Sequence, residues 1–385
     1  MKDGYKLIGG YIRQVDVRNT DGREDNLLGV SVQKKFIPSI ANTVGTDFTK
    51  YKVVKRGQFT YIPDTSRRGD KIGIALLSEY SEGLVSNIYT VFEVIDETQL
   101  LPEYLMLWFS RPEFDRYARF KSHGSVREVM DWDEMCKVEL PVPPIDRQKA
   151  IVKAYQTITG RIELKRKIND NLVTSLCTVY RERFFNRQDA YEKRTLKELC
   201  SKIGSGATPK GGKQTYSETG ISLIRSTNVF DYSFSYSELA HISDEQADAL
   251  SNVEVSAYDV LFNITGVSVA RCCMVPEDVL PARVNQHVMI VRPILGYEMS
   301  YYMMCTLCSS DFKARLLGIG QSGSTREAIN KQELESFVIP VPSIQDVKSF
   351  GRLADSLYKE IAKSNNEVRA LEDMQSVLLS NLSSR

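Results

Sequence analysis

The sequence predicts an α+β fold: two mixed α/β domains written as a repeat, separated by two long helices that pair with each other as a coiled coil. Three observations carry this. First, the segment Gly124-Ser125-Val126-Arg127-Glu128 returns 199 residues later as Gly323-Ser324-Thr325-Arg326-Glu327, and a self-match at half the chain length argues for two copies of one unit. Second, the proline clusters Leu140-Pro141-Val142-Pro143-Pro144-Ile145 and Ile339-Pro340-Val341-Pro342-Ser343-Ile344 keep the same spacing. Each is followed by roughly forty helix-prone residues without a proline. Third, apolar residues in those runs recur at alternating steps of four and three, the narrow stripe that faces a partner helix.

The domains are expected at 1–145 and 189–343, with the helices at 146–188 and 344–385. Leu28 to Val32 reads as a strand followed by a basic loop, and Val53 to Tyr61 as a hairpin-like segment. Ile72–Leu77 and Tyr89–Val94 are further strands, and Pro102 to Arg119 reads as one helix with Leu105, Trp108 and Phe109 on a face. Asp131…Glu134 and Asn330…Glu333 read as capping boxes opening short helices before the prolines. Pro141, Pro143, Pro340 and Pro342 then force extended passages.

In the first helix the seam is Ile151, Tyr155, Ile158 and Ile162, then Leu172, Leu176 and Val179. In the second it is Phe350, Ala354, Leu357 and Ile361, then Val368, Leu371 and Leu378. Lys165 and Ser364 interrupt the two seams at the same place, and Asn169 and Gln375 occupy further seam positions. A long helix packed on its own domain is the plainer reading; pairing of the two helices accounts better for so narrow a stripe.

The second copy begins at Tyr191–Thr195 and carries a basic glycine-rich loop from Gly204 to Lys213. Ile221–Asn228 reads as a strand running into a polar turn. Val260–Ile264 mirrors Phe59–Tyr61, and Val284–Val291 mirrors Ser86–Val94. The frame keeps its spacing while the domain interiors diverge, as expected if the interiors read different things.

At 385 residues, with 42% hydrophobic and 26% charged residues, the chain is an ordinary globular protein of two or more domains. No apolar run approaches a membrane span, and the polar Met1-Lys2-Asp3-Gly4 start is unlike a signal peptide. Seven cysteines without a disulfide-like framework fit a reducing cytoplasm. The net charge of +1 is not that of a generic nucleic-acid binder, but it is unevenly spread. Residues 31–71 carry nine Lys/Arg against three acids, and residues 231–259 carry seven acids and no Lys or Arg.

An active site is not legible. Gly206–Lys213 has the composition of a phosphate loop, but Ala207 and Gln214 stand where Gly and Ser/Thr are needed. Cys272-Cys273 and Cys305-x-x-Cys308 read as buried reduced cysteines in preference to a zinc site, and His123, His241 and His287 are too scattered for a triad. Nucleic-acid signals are stronger. Lys34, Lys35, Lys50, Lys52, Arg67 and Arg68 lie among Phe36, Asn42, Tyr51 and Tyr61 in the first domain. The second offers Lys210, Lys213, Gln214, Tyr216, Arg225, Ser226 and Asn228. Lys and Arg supply phosphate contacts, while Asn, Gln and Arg can read base edges. Arg127 and Arg326 either touch phosphate or lock their turn through the adjacent Glu.

The order of variable domain, proline junction and long helix, written twice, resembles the specificity subunit of type I restriction–modification enzymes. Gly204-Ser205-Gly206-Ala207-Thr208-Pro209 resembles that family's entry to its second target-recognition domain. Leu140 to Gln148 resembles its junction into the conserved helix, with a second junction at Ile339–Ile344 that departs at Gln345-Asp346-Val347. The resemblance implies a non-catalytic subunit that binds double-stranded DNA and two methyltransferase subunits, and restriction subunits through them. It implies two target-recognition domains in pseudo-two-fold repeat, held apart by an antiparallel coiled coil of the two helices, and S-adenosylmethionine, ATP and Mg²⁺ bound by the partners, with no cofactor or metal in this chain. Helices of forty residues would be about 60 Å long. Readers related by a pseudo-two-fold axis should meet half-sites roughly 10 bp apart on a bipartite, non-palindromic target. The alternatives are a coiled-coil scaffold with two protein-binding domains and a self-contained modification enzyme, the latter disfavoured by the missing methyl-donor loop.

Overall fold

A computed structural model describes residues 4–40, 44–65, 71–122, 128–321 and 327–382. The chain divides into two compact units, 1–164 with 368–385, and 165–367.

Each unit is built on the same pair of sheets. The first unit's main sheet runs in the order Ile12–Val15, Thr90–Val94, Phe59–Tyr61, Ile74–Leu76, all antiparallel. The second unit's runs Cys200–Ser205, Val288–Pro293, Val260–Asn263, Cys272–Met274, the same order with the same directions. The second sheet of the second unit runs Ala240–Ile242, Ile221–Ile224, Ala282–Val284, Glu254–Val255, with its middle pair parallel. The first unit holds a looser version: Phe36–Pro38 pairs Leu28–Val30, Leu27 makes a parallel bridge to Leu84, and Glu82–Val85 pairs Lys52–Lys55. A lead-in strand also pairs with each proline junction, Tyr5–Leu7 on Glu139–Pro141 and Glu192–Thr195 on Val338–Val341. The interiors that diverged in sequence thus keep one topology.

Aromatic residues fill the first core. Phe59 stacks on Phe92 at 4.8 Å and meets Phe109 edge-on at 5.8 Å, the offset and T-shaped geometries that ring quadrupoles favour. In the second core Phe184 sits edge-on to Tyr302 at 5.1 Å and to Phe350 at 5.3 Å, joining both long helices to the helix Tyr297–Cys308. Gly351 is required there, because a Cβ would stand 2.3 Å from that of Glu298.

Several sequence expectations are corrected. Lys52–Lys55 and Phe59–Tyr61 do not form a hairpin: Gly57, at φ +85°, turns the chain so that the two strands join different sheets. The helix expected from Pro102 to Arg119 is two, Pro102–Phe109 and Pro112–Lys121, because Pro112 forces Arg111 into an extended conformation. The box at Asn330…Glu333 is complete, but at Asp131 only half forms, since Glu134 turns its carboxylate to Lys137 at 2.7 Å. Leu28–Val30 is shorter than read, and Val284–Val291 is broken by a turn at 285–287.

The long helices span Ile145–Arg183 and Ile344–Asn381. The first stops short of residue 188, and Phe185–Ala190 continues as a 3-10 turn. Within the first unit, Ile158 and Ile162 cluster with Val368 and Leu371, and Gln375 donates to Thr159 Oγ1 at 2.6 Å. Ile151 lies on the first core with Leu379. Within the second unit, Lys165 pairs with Glu367 at 2.6 Å and Asn169 donates to Asn365 at 2.7 Å. In both units the partners descend along one helix as they ascend along the other, so the segments run antiparallel. Of the remaining seam residues, Ile361 is buried, Leu172 is half-buried, and Leu357 packs on the second core. Within each unit the two helix segments touch each other and also pack on that unit's core.

Candidate nucleic-acid interface

The two sheets of the second unit deliver polar residues to one end. Ile224 lies opposite Val284 in the parallel pair, so Arg225–Ser226 and Asn285–Gln286 leave their strands side by side. Asn263 lies opposite Val288 in the main sheet, which brings Thr265 to His287. The glycine-rich loop is pinned across this end: Gly206 N–H donates to Asn285 O at 3.1 Å. Only glycine fits, since a Cβ at Gly206 would stand 1.7 Å from the Val284 carbonyl oxygen.

That anchor sets up a chain of side chains. Thr208 Oγ1 donates to Gln286 Oε1 at 2.7 Å, Gln286 Nε2 meets His287 Nε2 at 3.1 Å, and His287 Nδ1 meets Thr265 Oγ1 at 2.7 Å. An amide nitrogen only donates, so His287 Nε2 accepts and its Nδ1–H donates to Thr265. Asn285 supports the turn by accepting from His287 N–H at 3.0 Å. Thr208 and Gln286 are exposed. Sequence reading assigns none of the four a DNA-contacting role; the signals present were the Gly204–Pro209 stretch and the polar triplet Asn285-Gln286-His287 interrupting an apolar run.

The residues named from sequence divide into three groups. Lys35, Lys50, Lys210 and Gln214 are exposed, although Lys50 leans to Asp47 at 3.4 Å. Ser226 and Tyr216 are half-buried at the polar end, with the Arg225 guanidinium over the Tyr216 ring at 5.8 Å. Arg225 also donates to the Glu238 carbonyl, so it holds the loops together as well as lining the site.

Three residues are corrected to structural roles. Lys34 is an internal cation: its ammonium donates to Asp115 at 2.7 Å and to Phe109 O at 2.5 Å, and burial pulls its pKa down despite the carboxylate. Lys52 turns inward to Tyr89 O at 2.9 Å. Asn228 is fully buried, accepting from Arg225 N–H and donating to Ser235 O and Ser237 O, so it shapes the turn and reads nothing.

Asn42, Arg67, Arg68, Arg127 and Arg326 lie outside the described residues, as does the side chain of Lys213. The residues that follow each of the repeated arginines are held alike. Thr65 N–H donates to Glu128 O at 2.9 Å, and Gly266 N–H donates to Glu327 O at 2.8 Å. Among the described residues, no group of three or more His, Cys, Asp or Glu is placed to hold a metal ion, and no helix is long and apolar enough to cross a membrane. Cys272, Cys273 and Cys305 are buried thiols.

The two-sheet domain of the second unit thus gathers loop-borne amide, hydroxyl and basic side chains at one end. A family model described as type I restriction modification DNA specificity domain matches residues 15–173. The type I restriction enzyme MjaIX specificity subunit of Methanocaldococcus jannaschii is 19% identical over 316 residues, 75% of this chain and 70% of that protein. The crystal structure of a type I restriction–modification S subunit from M. genitalium shares the fold, with TM-score 0.58 and 14% identity over 98% of this chain and 95% of that one. Residues 15–173 thus match that specificity domain, and the chain shares the fold of that S subunit.

Proposed function

We propose that this chain is a type I restriction–modification specificity subunit that reads a bipartite, gapped, non-palindromic target in double-stranded DNA, one half per unit, with the long helices setting the gap. It directs two methyltransferase subunits to adenine N6, and restriction subunits through them to distant cleavage. Those partners hold S-adenosylmethionine, ATP and Mg²⁺, and the complex works in the cytoplasm. One observation supports the reading above the others: the main sheets of both units keep the same strand order, while the loops between their strands differ in sequence. Equal scaffolds carrying unequal loops are what two different half-sites require.

The reading is tested by footprinting the full chain, assembled with its methyltransferase subunits, on its target duplex. Two protected patches flanking an unprotected spacer are expected, with affinity falling steeply as salt rises. A continuous palindromic footprint, or binding to protein and not to DNA, would contradict it.

A further inference from the structure

The geometry points to Gln286 as a base-reading residue of the second recognition domain, specific for adenine in the major groove. The inference rests on the DNA-reading function proposed above and adds to it one residue, one base and one half-site.

The argument begins with what the carboxamide has left to offer. Its Oε1 already accepts from Thr208 and one Nε2–H already donates to His287. One lone pair and one N–H remain on an exposed side chain. That pair matches the adenine edge, where N6–H donates and N7 accepts; guanine presents two acceptors there and cannot satisfy both groups at once. A free glutamine could rotate its amide by half a turn and present either order. Here both ends are held by neighbours, Oε1 by the Thr208 hydroxyl and Nε2 by the His287 imidazole, which Thr265 contacts in turn.

The supports are rigid. Asn285 is buried, its N–H donates to Ile224 O at 3.0 Å, and its side chain fixes the His287 amide. Thr208 reaches Gln286 because Gly206 packs its backbone on Val284 and Asn285. Holding the reader by flanking groups spares it the rotamer entropy of ordering on the DNA. Thr208 is thus a positioning residue.

The test selects bound sequences from a randomised duplex library with the full chain in its methyltransferase complex, comparing wild type, Gln286→Ala, Thr208→Val and Thr208→Ser. Wild type should enrich a gapped motif with an A·T pair in the half read by the second unit. Gln286→Ala should cut preference at that one position by on the order of 10- to 100-fold and leave the other half-site intact, which also shows that the complex still folds. Thr208→Val should weaken the same position less, and Thr208→Ser should restore it. An unchanged motif with Gln286→Ala, or relaxation at a G·C position, overturns the inference while leaving the proposed function standing. No motif with the wild type overturns both.

Discussion

Lys34 and Asp115 form an ion pair at 2.7 Å with both side chains about nine-tenths buried, 8% and 10% exposed. The Asp115 carboxylate also accepts from Ile72 N–H at 3.2 Å, so one buried acid joins the basic loop, a sheet strand's lead-in and the helix Pro112–Lys121. Removing one partner strands a buried charge. Lys34→Ala is therefore expected to destabilise the fold by about 3–5 kcal/mol, read as a lower urea midpoint. Lys210→Ala, at an exposed lysine, should leave the midpoint alone and reduce the salt dependence of DNA binding by about one unit of slope. Equal, small effects on both would contradict the division.

Gln148 is the clasp at the start of the first long helix. It is fully buried, accepts from Leu101 N–H at 2.9 Å and donates to Gln99 O and Pro143 O, each at 2.8 Å. At the same place in the second copy, 199 residues on, Val347 is buried in the apolar core. The departure from the repeat is thus a change from polar to apolar anchoring. Gln148→Ala leaves three backbone groups without that partner and should cost about 1–3 kcal/mol by equilibrium denaturation. Gln148→Val should not rescue it, because valine leaves the same three backbone groups without their partner.

The seam supplies a third expectation. Ile158→Asp with Leu371→Asp places carboxylates in the apolar cluster of Ile158, Ile162, Val368 and Leu371. Neither residue packs in the cores that hold the sheets, so near-native sheet content by circular dichroism is expected. Preference for one spacer length over those a base pair longer or shorter should fall. A retained spacer preference would mean the helices do not set the gap.

Cysteine chemistry gives a fourth. Burial pushes the Cys200 thiol up to about 12, against an ordinary value of 9.0. A raised thiol pKa means less thiolate, so at pH 9 native protein should alkylate at the half-buried Cys200 on the order of 100-fold more slowly than unfolded protein. Peptide mapping after iodoacetamide treatment checks this, and equal rates would contradict the buried-thiol account.

The frame was legible because its signals are local. Capping residues, prolines and a heptad stripe act within a few residues, and a 199-residue repeat confirmed each one. The interiors were not. Phe59–Tyr61 finds its partners in strands that only the folded sheet reveals, and Gly57 decides that Lys52–Lys55 goes elsewhere. Lys34 reads as a surface cation until Asp115, 81 residues away, claims it. Gln286 reads as a strand residue until Thr208, 78 residues back, fixes its amide. Side chains whose roles depend on distant partners are the part a linear reading cannot order.

Methyl mapping of DNA from cells expressing this chain with its cognate methyltransferase subunit, against cells lacking the chain, tests the central claim most directly. N6-methyladenine at one gapped, asymmetric motif that appears only with the chain is the predicted result. The absence of any chain-dependent motif, with the methyltransferase shown to be assembled and active, would contradict it.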